Sequence, residues 1–146
     1  MTRTTSHVVD VPRRSLLERA ILWSEALLAT TAYLGAIGLI SGRLDLGRAV
    51  GLLPLGSLLL AGLALAVVNG LIPTVVLLAA LRGHRWAEVG HLVVGLALVT
   101  WLLVQVAVLG PPFSPLQGIY LAWGWIIAAL AVRLAERRRK TDGRSP

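Results

Sequence analysis

The chain has 146 residues, of which 56% are hydrophobic and 14% charged, with a formal net charge of +7 and a mean hydropathy of +0.77. A chain this apolar cannot hide its side chains in one small soluble core and reads as an integral membrane protein. The absence of cysteine excludes disulfides, thiolate metal sites, iron–sulfur ligation and cysteine nucleophiles. The positive charge flanks apolar runs without interleaved aromatics, which points to membrane orientation and against nucleic acid.

Crossing a hydrocarbon core of roughly 30 Å takes about 20 helical residues, and four segments meet that length. The first is predicted over residues 20–40, behind a polar tail of residues 1–19. That tail is too long for the basic region of a signal peptide, and no small-x-small cleavage site follows, so the span is read as a retained anchor. The second is predicted over residues 54–81, opened by Pro54. Within it Pro73 lacks the donor that would bond the Asn69 carbonyl, and Gly70 weakens the helix locally, so Asn69, Gly70 and Pro73 mark a candidate kink. The third, residues 86–109, follows the short turn Arg82-Gly83-His84-Arg85 and stops at Gly110-Pro111-Pro112. The fourth, residues 115–134, opens with Ser114 as N-cap and Pro115 in the first turn, and a basic tail of residues 135–146 follows. The fold expected is an all-α four-helix transmembrane bundle in which the third and fourth spans form a tight hairpin.

All of the 14 basic residues except Arg43 and Arg48 fall on one side of this arrangement. The positive-inside rule therefore predicts a multi-pass protein of the plasma (inner) membrane with both termini cytoplasmic. The run Arg137-Arg138-Arg139-Lys140 is read as a topological signal. Lipid-headgroup binding is the sharper alternative, at about 1 kcal/mol per basic residue near an anionic leaflet.

Small residues recur at four-residue spacing in the second span (Gly62, Ala66, Gly70) and the fourth (Gly124, Ala128), which predicts close helix packing along both stripes. Glu88 and His91 share a helix face, and Glu25 lies at similar depth because the first and third spans run in the same direction. Together they form a candidate proton or cation cluster: Glu25, Glu88 and His91. The competing reading places Glu88 at a favourable helix N-terminus and pairs Glu25 with Arg82, Arg85 or a tail arginine. Counting outward from the turn between spans three and four sets Gln105 level with Tyr120, and Trp101 level with Gly124. Trp101, Gln105, Gln117 and Tyr120 would then line a polar pocket, serving either as interhelical glue or as a site for a lipid headgroup or quinone ring.

The run from Gly95 to Gly124, through Trp101, Gln105, Gly110, Gln117 and Tyr120, resembles the second half of small four-span bacterial integral membrane proteins of uncharacterised activity. That resemblance implies a four-helix membrane bundle and carries no activity with it. Small multidrug-resistance exporters are also short four-span proteins with a first-span glutamate. Their glutamate lies deeper than Glu25, and Trp23, Tyr33 and Trp101 do not reproduce their aromatic pattern, so the likeness is one of topology.

No phosphate loop, dinucleotide turn or nucleophile elbow is present, and His91 is the one histidine at membrane depth, so no cofactor or resident metal is expected. The first reading is a non-enzymatic accessory or scaffold subunit whose partners are membrane lipids, a second copy or a larger membrane complex. The second is a small proton-coupled transporter of small or amphipathic solutes that uses the acidic cluster. A lipid- or quinone-modifying enzyme ranks third because no acid–base constellation is complete.

Overall fold

A computed structural model of the chain describes residues 14–44, 51, 57–109 and 115–142. They form four helices, α1 (Leu16–Ile40), α2 (Leu58–Leu81), α3 (Ala87–Leu109) and α4 (Pro115–Asp142). Each is long and apolar enough to cross a membrane, and no strand occurs among the described residues.

Helix α1 begins ahead of the expected residue 20 because Ser15 and Glu18 make a reciprocal capping box. The Ser15 hydroxyl accepts from the Glu18 N–H at 3.2 Å, and the Glu18 carboxylate accepts from the Ser15 N–H at 3.0 Å, satisfying two of the donors a helix start leaves open. It ends at Ser41, with Gly42 at φ +68°, a left-handed position that glycine takes without a Cβ penalty. Helix α2 is capped by the Ser57 hydroxyl. Pro54 lies outside the described residues, as do Ser114 and Gly110-Pro111-Pro112. The expected turn between the second and third spans is present, with Gly83 at φ +76°. Helix α4 continues past residue 134 to Asp142, since Glu, Arg and Lys are good helix formers once the chain leaves the apolar run.

Neighbouring helices in the bundle are α1 and α2, α2 and α3, α3 and α4, and α4 and α1, so α1 and α3 face each other across the diagonal. The N-terminus of α1, the turn between α2 and α3, and the C-terminal part of α4 gather at one end: the Arg14 guanidinium donates to the Leu81 carbonyl at 2.9 Å, and Arg138 reaches Glu18 and Glu88. Among the described residues this basic end carries every Lys and Arg except Arg43.

Two kinds of seam hold the bundle. Between α3 and α4 the backbones nearly touch, for a Cβ at Gly95 would stand 2.6 Å from the Ala128 nitrogen and 2.8 Å from the Gly124 carbonyl. Between α1 and α2 the glycines receive side chains, Ile40 over Gly62 and the Tyr33 ring over Gly70. Both small-residue stripes therefore mark packing seams, as predicted. The register of α3 on α4 differs from equal counting by roughly one helical turn: Gly124 meets Gly95, Leu98 and Val99, not Trp101. Close backbone approach at the glycines sets this register, and distance from the connecting residues does not. Trp101 is half-buried and packs on the core formed by Leu28, Val94, Leu98, Leu102 and Ile127, together with Tyr120 and Leu121.

At Asn69, Gly70 and Pro73 the expected irregularity takes a definite form: residues Ala66–Leu71 are a π-helical turn within α2, a known site of helix distortion. The Ile72 N–H reaches back five residues to the Val67 carbonyl. The Thr74 hydroxyl donates to the Gly70 carbonyl at 2.8 Å. With that proton committed, Tyr33 donates its O–H to Thr74 Oγ1 at 3.3 Å, tying the turn to α1.

Candidate functional site

The inward stripe of α1 is Ile21, Glu25, Leu28, Ala32, Ala36 and Leu39, all buried, at the three- and four-residue steps of one helix face. Glu25 therefore occupies a core position, fully buried. On α3 the inward residues include His91, Val94 and Leu98, and His91 is 4% exposed. Across the diagonal, Glu25 Oε1 and His91 Nδ1 stand 2.7 Å apart. One proton serves this contact: either the ring N–H donates to the carboxylate, or the carboxyl O–H donates to the ring. The other carboxyl oxygen, Oε2, is buried without a hydrogen-bond partner.

The three-residue cluster expected from the sequence is only partly assembled. Glu25 and His91 meet, whereas Glu88 turns to the basic end and pairs with Arg138. Glu88 lies about one turn nearer that end than His91, where α4 delivers an arginine, and a charge beside an arginine near water is favoured over one buried in the bundle. Among the described residues no group of three acidic, histidine or cysteine side chains is arranged to hold a metal. The cation reading loses its third ligand, and the proton reading keeps its two groups. Nor does Glu25 pair with Arg82, Arg85 or a tail arginine, since its partner is the imidazole.

Arg138 was not legible as a site residue, yet it bridges two helices. Its guanidinium bonds Glu18 of α1 at 2.5 Å and Glu88 of α3, forming a three-way ionic tie at the basic end. A signal for it exists: Ile127, Ala131 and Leu134 are among the buried residues of α4, and position 138 continues the same face at the next four-residue step.

Two cavities flank the pair. At the basic end a space of about 590 Å³ is lined by Arg14, Glu18, Arg82, Glu88, His91 and Arg138 among others, so His91 forms part of its wall. Toward the opposite end a second cavity of about 240 Å³ is lined from all four helices, including Leu28, Asn69, Leu98, Trp101, Gln105, Gln117 and Tyr120. This is the pocket expected from Trp101, Gln105, Gln117 and Tyr120, enlarged by α1 and α2. Between the cavities, one turn beyond the pair on each helix, lie Leu28 and Val94, which with Ile127 are no more than 2% exposed. The titratable pair thus sits on the basic side of an apolar septum. Asn69, part of the candidate kink, is 2% exposed and its Nδ2 has no partner.

No family model, no curated protein and no solved structure matches the chain.

Proposed function

We propose that this chain is a small proton-coupled carrier of small or amphipathic solutes in the plasma membrane, with both termini cytoplasmic and Glu25 and His91 holding the coupling proton. One observation carries the reading: a fully buried carboxyl group is bonded to an imidazole between two separate cavities. Removing a charge from water costs several kcal/mol even after relaxation, and ionisable groups at membrane depth are by default candidates for ion or proton pathways. The accessory or scaffold role needs no such pair, because the glycine seams already hold the helices together.

The chemistry follows from the two side chains. Each has two protonation states, and imidazole is the side chain whose charge ordinarily changes nearest neutrality. A proton arriving from the basic-end cavity meets His91 first, since His91 lines that cavity and Glu25 lies behind it. With both groups protonated the bond loses its charged acceptor, since only the neutral carbonyl oxygen of the carboxyl group remains to accept from the ring N–H, and the weakened contact lets α1 part from α3. The pair spans the boundary between the α1–α2 and α3–α4 hairpins, so its breaking frees one hairpin to move against the other. Arg138 spans the same boundary at the basic end and acts there as a latch. Unwound or π-helical backbone near mid-span is a recurring device for such motion, and α2 has one at Ala66–Leu71.

Purified protein in liposomes tests this. An imposed pH gradient should drive accumulation of members of a panel of small lipophilic solutes, and Glu25→Gln should abolish the coupling while the protein still assembles in mild detergent. Gradient-driven uptake that persists in Glu25→Gln, or its absence from the wild type across the panel, would sink the proposal. A reporter fused after Lys140 should be cytoplasmic, as the charge distribution predicts. An external signal would reverse the direction of coupling.

A further inference from the structure

The second cavity has features that the proton pair does not use. Its lining draws on every helix, and among the described residues it contains no Asp, Glu, Lys, Arg or His. Whatever enters it is therefore neutral, since an ion would find no counter-charge there. Two aromatic side chains, Trp101 and Tyr120, face an aliphatic wall that includes Leu28 and Leu98, and rings pack favourably against both kinds of surface. The volume, about 240 Å³, exceeds the roughly 150 Å³ of apolar cavity that accommodates benzene. A single substituted ring or a small fused pair fits within it.

The decisive group is Asn69. It lines this cavity, is 98% buried by its 2% exposure, and its amide Nδ2 donates to nothing. A buried donor without an acceptor is costly, and an occupant of the adjoining cavity that carries an acceptor would remove that cost. The polar atom required of the ligand is an acceptor, and a carbonyl oxygen supplies one with no charge. We infer that this cavity binds a neutral ring compound bearing a carbonyl group, a cyclic ketone or quinone, with Asn69 Nδ2 donating to the carbonyl and Trp101 and Tyr120 flanking the ring. The inference deepens the carrier reading by naming the solute class and its site, and it rests on that reading only for the statement that the solute is transported. Position supports the assignment: Leu28 and Leu98 belong both to this cavity and to the apolar core beside the pair, so an occupant touches the septum next to the coupling proton.

Binding is measured without transport by titrating the purified protein in detergent with menadione and following tryptophan fluorescence. Wild type should show saturable quenching that is largely lost in Trp101→Phe, leaving the other four of the five tryptophans as background. Asn69→Leu should weaken binding about tenfold, the loss of one buried hydrogen bond, while raising the melting temperature of the unliganded protein because the orphan donor is gone. Ala32→Leu, which fills the cavity from α1 and leaves Asn69 intact, should abolish saturable quenching. 2-Methylnaphthalene, which keeps the rings without a carbonyl, should not compete.

Equal affinity in Asn69→Leu, effective competition by the hydrocarbon, or a melting temperature that falls in Asn69→Leu would overturn the carbonyl assignment. Quenching that never saturates in the wild type would overturn the site. Saturable binding in a protein that moves no proton would leave this inference standing and remove the carrier reading. Proton-coupled uptake of other solutes without menadione binding would do the reverse.

Discussion

The two hairpins of this bundle are built from similar residues and held by different means. In α3 and α4, Gly95 lies against the backbone of Gly124 and Ala128, so at that glycine the nearest atoms are backbone and cannot rotate aside. In α1 and α2 the glycines are filled by the side chains of Ile40 and Tyr33, and α2 is interrupted by the π turn at Ala66–Leu71. One hairpin is a fixed unit, while the other can adjust through rotamers and a shift of helical register. The Glu25–His91 contact and the Arg138 tie both cross from the adjustable hairpin to the fixed one. A small membrane bundle can thus separate the seam that gives it shape from the contacts that let it change.

The largest expected effect comes from leaving one member of the central pair alone. His91→Leu strands the Glu25 carboxyl group in the core and should cost about 3–5 kcal/mol, read as loss of cooperative thermal unfolding in detergent. Glu25→Gln keeps a hydrogen-bonding group of the same shape and should fold within about 1 kcal/mol of wild type. Equal damage from the two would mean that the pair acts through charge alone and the geometry contributes little.

The seams themselves come next. Gly95→Ala forces a Cβ into backbone atoms at 2.6 and 2.8 Å and should cost about 1–3 kcal/mol. Gly62→Ala meets the Ile40 side chain at 2.6 Å, which can turn toward lipid, and the Ala36 carbonyl at 3.1 Å, farther than the backbone atoms at Gly95, so it should cost less in the same unfolding assay. The reverse order would contradict the division into a fixed and an adjustable hairpin. Pro73→Ala restores a backbone donor in α2, and hydrogen exchange across Ala66–Leu71 should slow. Exchange unchanged by this substitution would remove Pro73 as the cause of the π turn. Smallest of all, Gln105→Leu should change stability by about 0.6 kcal/mol, the usual scale of an interhelical hydrogen bond in a membrane.

How far the sequence reached depended on what kind of signal each feature leaves. Spans and turns were legible because bilayer thickness fixes length and Gly83 marks a left-handed turn by its residue type. The small-residue stripes were legible because spacing alone places them on one face. Helix rotation was less so: in a membrane all faces of α1 are apolar, so hydrophobicity does not mark the inward side, and Glu25 became the guide to it only through its polarity. The meeting of Glu25 and His91 needs both helices rotated correctly, which the glycine seams determine, and those seams also moved Gly124 from Trp101 to Leu98 and Val99. The onset of α1 is invisible to hydropathy, because Ser15 and Glu18, although they stand at the capping-box spacing, lie in a polar stretch ahead of the apolar run. Arg138 was missed because a basic run at a span's end reads as a topological signal, and its inward face appears only once α4 is known to continue past the apolar run.

The central claim is that Glu25 and His91 exchange a proton with the basic-end cavity, as opposed to bonding two helices permanently. Solid-state NMR of the protein in lipid bilayers, with ¹⁵N in the histidines and ¹³C in the glutamate carboxyls, reads both groups at once. Between about pH 3 and pH 9, which covers the ordinary ranges of both groups, the His91 ring and the Glu25 carboxyl should change protonation state in a coupled way, and Glu25→Gln should alter the His91 response. Spectra of both groups that stay the same over that range would show a static structural pair and contradict the account.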